Sequence, residues 1–313
     1  MWKVIKDSPA IFLAVFFPKA FLVLYKSILP DRWAKKTTPI ARYCRSRLLK
    51  PKDIRTIANP HHADNLAHVA IVIPNYNYNN FISKAIGSAF EAAEEALKHG
   101  IKTEVIIVDD NSNDGSRTTI EHVIHERDIP AKALFLKSNC GLSNARNTGM
   151  NASHAEFLLF LDSDNWLTKD AVILLYNALK GNTSTACFGR IRTWHHKNGK
   201  QGEDFSAQPY DLNRLLTKEN YIDAMAMFRK KKLAAIGGFS TSLQLISWGY
   251  EDYAMWIKLG TSGHSVTNIS DVIGDYLFKD DSLVNLASAD RRFTLKWLKY
   301  RGRIRLVTRK LFS

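Results

Sequence analysis

Cysteine is scarce in this chain of 313 residues, which contains only Cys44, Cys140 and Cys187. The three are widely spaced, odd in number and free of any Cys-x-x-Cys pair. This scarcity argues against a disulfide-stapled fold and against a zinc site, and it favours a reducing compartment. We interpret all three as buried thiols that serve packing.

Glycine-rich phosphate loops are also missing. No Gly-x-Gly-x-x-Gly follows the first predicted strand, and there is no Walker A sequence. These absences speak against a dinucleotide-dependent dehydrogenase and against a P-loop NTPase. If the chain binds a diphosphate, the neutralising charge has to come from another source, and a divalent metal ion is one.

Acidic residues are absent from the last 23 positions, and the positive charge of the chain is unevenly placed. The net charge is +14, with +10 in residues 1–55, +9 in residues 291–313 and −5 in the remainder. A nucleic-acid enzyme normally concentrates positive charge around its groove, so we predict no nucleic-acid partner. Two basic ends on a mildly acidic body indicate an anionic membrane surface.

No long apolar run is free of interruption. Residues 10–29 are largely apolar, but Pro18 and Lys19 lie in the middle, where a lysine costs about 2.5–3.5 kcal/mol on an insertion scale. No signal-peptide cleavage site follows. We predict a kinked segment that lies in one leaflet, so that the protein is cytoplasmic and peripheral or monotopic at the inner face of the membrane. The alternative is a hairpin packed on the body.

The C-terminal end has the period of an amphipathic helix. Apolar residues recur at spacings of three and four, at Phe293, Trp297, Tyr300, Ile304, Val307 and Leu311. A basic helix with such a face is typical of membrane surfaces, although a helix docked on the domain shows the same period.

Strands and helices alternate through the body of the chain. The pattern predicts strands over residues 68–74, 104–108, 133–136 and 156–161, and helices over residues 81–99, 116–127 and 144–153. This alternation predicts an α/β fold, in which a mostly parallel sheet carries helices on both faces. Ligands of such sheets bind beyond the carboxyl ends of the strands.

Polar clusters follow three of the predicted strands, at residues 74–76, 109–112 and 162–165. One such cluster by itself would indicate a turn or a helix cap. Asp162 and Asp164 face the same way in an extended segment, so their carboxylates can converge on one Mn²⁺ or Mg²⁺ ion that a diphosphate also binds.

The chain resembles glycosyltransferase family 2, whose fold is the GT-A nucleotide-diphospho-sugar transferase fold. The matching pieces occur in the family's order, at residues 69–77, 104–116, 139–150, 157–165, 233–239 and 248–260. The resemblance implies a catalytic domain over 67–283, with a nucleotide-binding half (67–165) and an acceptor half (166–283). Residues 1–66 would then be a basic N-terminal extension and anchor, and 284–313 a C-terminal helix.

The resemblance also implies roles in donor binding. Pro74 and Tyr76 would lie beside the nucleobase, and Asp110 would hydrogen-bond it, with Asp109 sharing that work.

The resemblance also implies which residues contact the diphosphate and the sugar of the donor. Arg146 would lie near the diphosphate or the sugar. Asp162 would contact ribose or sugar and share the metal with Asp164, the principal metal ligand.

On the acceptor side, Asp252 resembles the family's catalytic base, with Glu251 beside it and Trp248 and Gly249 lining the acceptor pocket. Asp252 could instead cap the helix that follows it. The sequence departs from the family at Lys279, where arginine is common.

Two further features fit the family less clearly. His264 could reach the metal, although a lone histidine more often satisfies a local hydrogen bond. Residues 190–220 have no family match and are expected to cover the acceptor side.

We therefore expect a metal-dependent, inverting transferase that moves a sugar from a nucleotide-sugar donor to a membrane-linked or surface-glycan acceptor. UDP is favoured on family frequency alone. The alternatives are a sugar nucleotidyltransferase and an inactive nucleotide-sugar-fold module that binds at a membrane.

Overall fold

The computed structural model describes residues 54–62, 66–218, 220–240 and 250–279, together with residues 299, 302, 303 and 306. In this part of the chain, helices cover both faces of a nine-stranded sheet. The strands are β1 (Ile54–Ala58), β2 (Val69–Asn75), β3 (Thr103–Asp109), β4 (Ala131–Leu136), β5 (Phe157–Phe160), β6 (Trp166–Leu167), β7 (Ala186–His195), β8 (Ala226–Arg229) and β9 (Val266–Phe278). The helices are α1 (Asn79–Lys98), α2 (Ser116–Val123), α3 (Leu142–Ala152), α4 (Ala171–Lys180), α5 (Leu212–Thr217), α6 (Lys230–Ala235) and α7 (Glu251–Thr261).

The sheet has the strand order β1-β4-β3-β2-β5-β8-β7-β9-β6. Strands β4, β3, β2 and β5 are parallel, as the alternation of strands and helices predicts. The other half is mixed, because β8 is antiparallel to both β5 and β7 while β7 and β9 are parallel. The predicted α/β fold, with helices on both faces of the sheet, is confirmed; the parallel strands are concentrated in residues 69–160, and the sheet is mixed beyond them.

Complete burial explains the unbroken apolar runs of the central strands. Every residue of β2 and of β3 is buried, so neither strand has an exposed face that would require alternating polar residues. One core forms where α1, α2 and α4 cover the sheet. A second core forms on the opposite face under α3, α6 and α7.

The N-terminal extension predicted over residues 1–66 contributes a strand to this sheet. β1 pairs antiparallel with β4 at the sheet edge. The buried side chain of Asn59 then donates to the carbonyl of Ile129 over 2.7 Å and accepts from the amide of Ala131 over 3.1 Å. The sheet thus includes a strand upstream of residue 67, and β1 is short and partly exposed, which makes it a weak signal in the sequence.

Four described residues of the C-terminal segment contact the domain. Lys299 and Arg303 each donate, over 3.3 Å, to carbonyls at the end of α5, on Thr217 and Leu216 respectively. Cations commonly satisfy the free carbonyls of a helix terminus. A side chain at Gly302 would lie 2.6 Å from Leu216, so this part of the segment is docked closely.

The other predictions about the two termini concern residues that the structure does not describe. The apolar stretch at residues 10–29 and the six apolar positions of the predicted C-terminal helix face lie outside the described residues. Among the described helices, none has the length and apolar content needed to cross a bilayer.

Helix α3 lies unusually close to β2 at Gly149, where an added methyl group would overlap the side chain of Val72 and lie 3.3 Å from Val108. We expect Gly149→Ala to lower the free energy of unfolding by about 1–3 kcal/mol, because overpacking forces the helix away from the sheet. Urea denaturation measures the effect.

Gly87→Ala in α1 is the matched control, since a methyl group there meets no atom within 4 Å. Alanine is the better helix former, so this substitution should raise the unfolding free energy by about 0.5–1 kcal/mol. Equal effects at the two positions would contradict the packing at Gly149.

Candidate functional site

A cavity of about 370 Å³ opens beyond the carboxyl ends of β2, β3 and β5. It brings together most of the residues that the sequence predicted for the site, namely Pro74, Tyr76, Asp110, Arg146, Asp162, Asp164, Glu251 and Asp252. These residues come from separate stretches of the chain, namely the ends of three strands, helix α3 and the start of α7. Trp248 and Gly249 lie outside the described residues.

Asp110 is fixed at one end of the cavity by backbone amides. Its two carboxylate oxygens accept from Cys140 N over 2.7 Å and from Gly141 N over 2.6 Å. Gly141 adopts a φ of 86°, which residues with a side chain rarely adopt, so this turn favours glycine. Burial raises the pKa of Asp110 to about 7, although the two amides lower it.

Tyr76 and Pro74 complete this end. Pro74 lies within β2, whereas Tyr76 follows the strand with 43% of its surface exposed. An exposed aromatic ring on a cavity wall is free to stack on a planar group such as a nucleobase.

Asp109 lies behind the cavity wall and is absent from its lining. Its buried carboxylate accepts from Arg117 Nε over 2.7 Å and from the amide of Ser112 and the side chain of Asn75, both over 3.1 Å. These contacts hold together the loops that follow β2 and β3. Asp109 therefore stabilises these two loops and does not face the cavity.

Arg146 joins the two halves of the site. Its fully buried guanidinium donates to Asp162 Oδ1 over 2.6 Å and to Glu251 Oε1 over 2.7 Å. Burial lowers the pKa of Arg146, but the two carboxylates outweigh it and raise the pKa above its usual value. The guanidinium is thus committed to two carboxylates, one at the end of β5 and one at the start of α7.

The D-x-D pair can hold a divalent cation only together with a ligand. Asp164 Oδ2 pairs with Lys279 Nζ over 2.7 Å. Burial raises the pKa of Asp164, while Lys279 lowers it. Within the described ranges, no three His, Cys, Asp or Glu side chains form a metal cage. Two carboxylates nevertheless suit Mg²⁺ or Mn²⁺, which takes its other oxygens from phosphate and water.

His264 does not join this group. It is absent from the cavity lining, and its Nδ1 lies 2.8 Å from Thr185 Oγ1.

Asp252 lies at the other end of the cavity, as the second residue of α7. The N-cap of α7 is Tyr250 and not Asp252, although Asp252 Oδ1 accepts from the first-turn amide of Tyr253 over 2.6 Å. Asp252 Oδ2 accepts from Asn220 Nδ2 over 2.8 Å. Burial, and then the negative charges of Glu251 and Asp223, raise the pKa of Asp252 well above its ordinary range. A carboxylate with a raised pKa is a stronger proton acceptor.

Several cavity residues were missed from the sequence, among them Tyr78, Asp223 and Tyr276. Asp223 precedes β8, and because β8 is antiparallel to β5, its first residue lies at the edge where β5 ends. The only available signal was a single acidic residue before an apolar run. That pattern does not give the direction of the strand.

Solved structures share this fold. S. aureus TarS in complex with UDP-GlcNAc is 17% identical with a TM-score of 0.57, over 76% of this chain and 70% of that chain. Mannosyltransferase PcManGT from Pyrobaculum calidifontis, in complex with GDP-Man and Mn²⁺, is 17% identical with a TM-score of 0.54, over 93% of this chain and 84% of that chain.

Two relatives show similarity in sequence. Glycosyltransferase GlyA of Streptococcus pneumoniae is 25% identical over 74% of this chain, and Staphylococcus aureus poly(ribitol-phosphate) beta-N-acetylglucosaminyltransferase TarP is 33% identical over 39% of it. The match spans 32% of GlyA and 36% of TarP, about a third of each protein.

The model of a known family, described as glycosyl transferase family 2, matches residues 70–237. The matched residues include Asp110, Arg146 and the D-x-D pair. Because the match covers more than half of the sequence, and the fold agrees with it, the chain belongs to glycosyl transferase family 2.

Proposed function

We propose that this cavity transfers a sugar, with inversion, from a nucleotide-diphosphate donor to the hydroxyl group of an acceptor. The observation that carries the proposal is that the D-x-D pair and Asp252 line one cavity, in which the buried Arg146 bonds both Asp162 and Glu251, the residue before Asp252. Donor and acceptor groups can therefore meet in one space of about 370 Å³.

The nucleotide would lie at the end formed by Pro74, Tyr76 and Asp110. Tyr76 offers a ring face, and the fixed carboxylate of Asp110 offers oxygen atoms whose direction is set by two backbone amides. UDP is the proposed nucleotide on family frequency. TarS, which shares the fold, is bound to UDP-GlcNAc, whereas PcManGT is bound to GDP-Man.

Asp164 and Asp162 would hold a Mn²⁺ or Mg²⁺ ion, which supplies positive charge to the leaving diphosphate. Lys279 lies beside Asp164 and adds a second positive charge at the same end of the cavity.

Asp252 would accept the proton of the acceptor hydroxyl as its oxygen bonds to the anomeric carbon and the bond from that carbon to the diphosphate breaks. Asn220 orients the Asp252 carboxylate. Glu251, held by Arg146, supplies negative charge that keeps Asp252 basic.

The acceptor is proposed to be a surface glycan or a lipid-linked glycan at an anionic membrane. The name of TarP includes a poly(ribitol-phosphate) acceptor, and the basic ends of this chain suit an anionic surface. The described residues that dock the C-terminal segment do not belong to its predicted apolar face, which therefore stays a candidate membrane contact.

Asp252→Asn is expected to lower turnover by about 10²-fold or more, because asparagine cannot take the proton. Donor affinity should not change. Release of nucleoside diphosphate from sugar nucleotides in the presence of Mn²⁺ measures the rate, and calorimetry measures the affinity.

Asp211→Asn is the control. Asp211 is the exposed N-cap of α5, and asparagine at this position can make the same capping hydrogen bond. A near-normal rate for Asp252→Asn would show that another carboxylate is the base. Release of pyrophosphate by the unmodified protein would favour a nucleotidyltransferase, and release of neither product would favour a binding module.

Asp164→Ala should abolish the strengthening of nucleotide binding by Mn²⁺, because the principal metal ligand is lost. The ratio of nucleotide dissociation constants with and without Mn²⁺ is the measurement. Asp128→Ala, at a side chain that is 97% exposed, should leave the ratio unchanged. If Mn²⁺ strengthens nucleotide binding as much in Asp164→Ala as in the unmodified protein, the metal assignment is refuted.

Neutralising basic residues of the C-terminal end should weaken co-sedimentation with phosphatidylglycerol vesicles by about 1 kcal/mol per charge. The variant replaces by glutamine Arg291, Arg292, Lys296 and Lys310. It leaves Lys299 and Arg303 in place, so that docking is preserved. Phosphatidylcholine vesicles should bind neither protein.

Four exposed lysines of the body, replaced in the same way, provide the charge-matched control: Lys98, Lys102, Lys180 and Lys200. If both variants lose binding equally, the attraction depends on net charge rather than on the C-terminal end.

A further inference from the structure

Asp223 is a cavity carboxylate that neither the D-x-D motif nor the proposed base accounts for. It lies just before β8 and is 9% exposed, with its side chain on the wall of the cavity. Its position is fixed by the backbone: Asp223 N donates to Ser206 Oγ over 3.0 Å, and Asp223 Oδ1 accepts from Met225 N over 2.8 Å.

Only one of the two carboxylate oxygens of Asp223 is used in this way. Among the described residues, Oδ2 accepts no hydrogen bond. Asp223 Oδ2 is not among the fully enclosed polar atoms that lack a partner, so this oxygen is open to the cavity that the side chain lines. A ligand hydroxyl entering the cavity can supply the missing donor.

Tyr276 on β9 provides a second hydroxyl-binding group close by. It lines the same cavity, and no hydrogen bond to another described residue involves its hydroxyl group. Burial, followed by the charge of Asp223, raises the pKa of Tyr276, which keeps its hydroxyl protonated. The tyrosine hydroxyl can therefore donate a hydrogen bond, and the ionised form of Asp223 can accept one.

Asp223 lies among the other carboxylates of the cavity. Burial raises its pKa to about 7, and the next largest contribution is the negative charge of Asp162, with Asp164 adding to it. Asp223 in turn contributes to the raised pKa of Asp252. Asp223 thus lies within electrostatic range of both Asp162 and Asp252, on the wall of the cavity in which the transferred sugar has to lie.

We propose that Asp223 and Tyr276 bind hydroxyl groups of the sugar ring that is transferred, and that they position the ring and select it. This inference rests on the proposed function. A site built to hydrogen-bond a hydroxyl group discriminates strongly, because an analogue that lacks the group leaves buried polar atoms unpaired.

The experiment compares nucleoside diphosphates with sugar nucleotides. Calorimetry with Mn²⁺ gives the affinities for UDP, UDP-GlcNAc, UDP-glucose, UDP-galactose, GDP and GDP-mannose. For the sugar nucleotide that binds best, the ratio of its affinity to that of its nucleoside diphosphate measures the contribution of the sugar.

Asp223→Asn and Tyr276→Phe should each lower this ratio by about tenfold or more, since hydrogen bonds to charged groups are the strong ones. The affinity for the nucleoside diphosphate alone should stay within about twofold, which a general loss of structure would not allow. Asp211→Asn, at an exposed carboxylate, should change neither quantity.

An unchanged ratio in both variants would overturn the inference while leaving the proposed function intact. An equal loss for the nucleoside diphosphate and the sugar nucleotide would also overturn it, because Asp223 would then serve the diphosphate or the fold. If the unmodified protein binds none of the sugar nucleotides, the proposed function fails and this inference fails with it.

Discussion

The buried guanidinium of Arg146 is the interaction on which the site depends. A fully buried cation is tolerated only when it is paired and hydrogen-bonded, and Arg146 meets that condition with Asp162 on one side and Glu251 on the other. Removing one partner of such a group typically costs about 3–5 kcal/mol, because a charge is left uncompensated. The end of β5 and the start of α7 are therefore fixed relative to each other, and the D-x-D pair and Asp252 are fixed with them.

Around this bridge the cavity carries an excess of negative charge. Five carboxylates line it besides Asp110, namely Asp162, Asp164, Asp223, Glu251 and Asp252. Arg146 and Lys279 are the cations that pair with them among the described residues. Crowded carboxylates disfavour their own ionisation, and burial adds to this effect. The same crowding favours a bound cation and keeps one carboxylate basic, so one arrangement of charge serves both ends of the proposed reaction.

The parallel half of the fold could be predicted from the sequence because its strands are buried on both faces. Unbroken apolar runs such as residues 68–74 indicate buried parallel strands when helical patterns separate them. The site residues that follow those strands could be placed for the same reason. The rule that parallel strands end at one edge brings together Asp110, Asp162 and Asp164. Glu251 and Asp252 lie at the start of α7 and were assigned to the site by the family resemblance.

The features that could not be predicted from the sequence depend on contacts between segments that are distant in the chain. Asp109 and Asp110 are adjacent and chemically alike. Asp109 accepts from Arg117 and lies behind the cavity wall, whereas Asp110 accepts from the amide of Gly141 and lies in the cavity. Asp223 reaches the site because β8 runs antiparallel, and an apolar run carries no direction. β1 was missed because edge strands are short and half-exposed, so that their composition resembles that of a loop.

The pairing of β1 has a consequence for how the enzyme meets its acceptor. Ile54 pairs with Leu136, the last residue of β4, so the chain enters the sheet at the edge where the cavity opens. β1 and β2 are separated by two strands, which at about 4.8 Å per strand places that entry point roughly 15 Å to the side of β2. An N-terminal tether to a bilayer would therefore join the domain on the side where the cavity opens rather than on the far side. Acceptors carried in that bilayer would then meet the enzyme by diffusion in two dimensions.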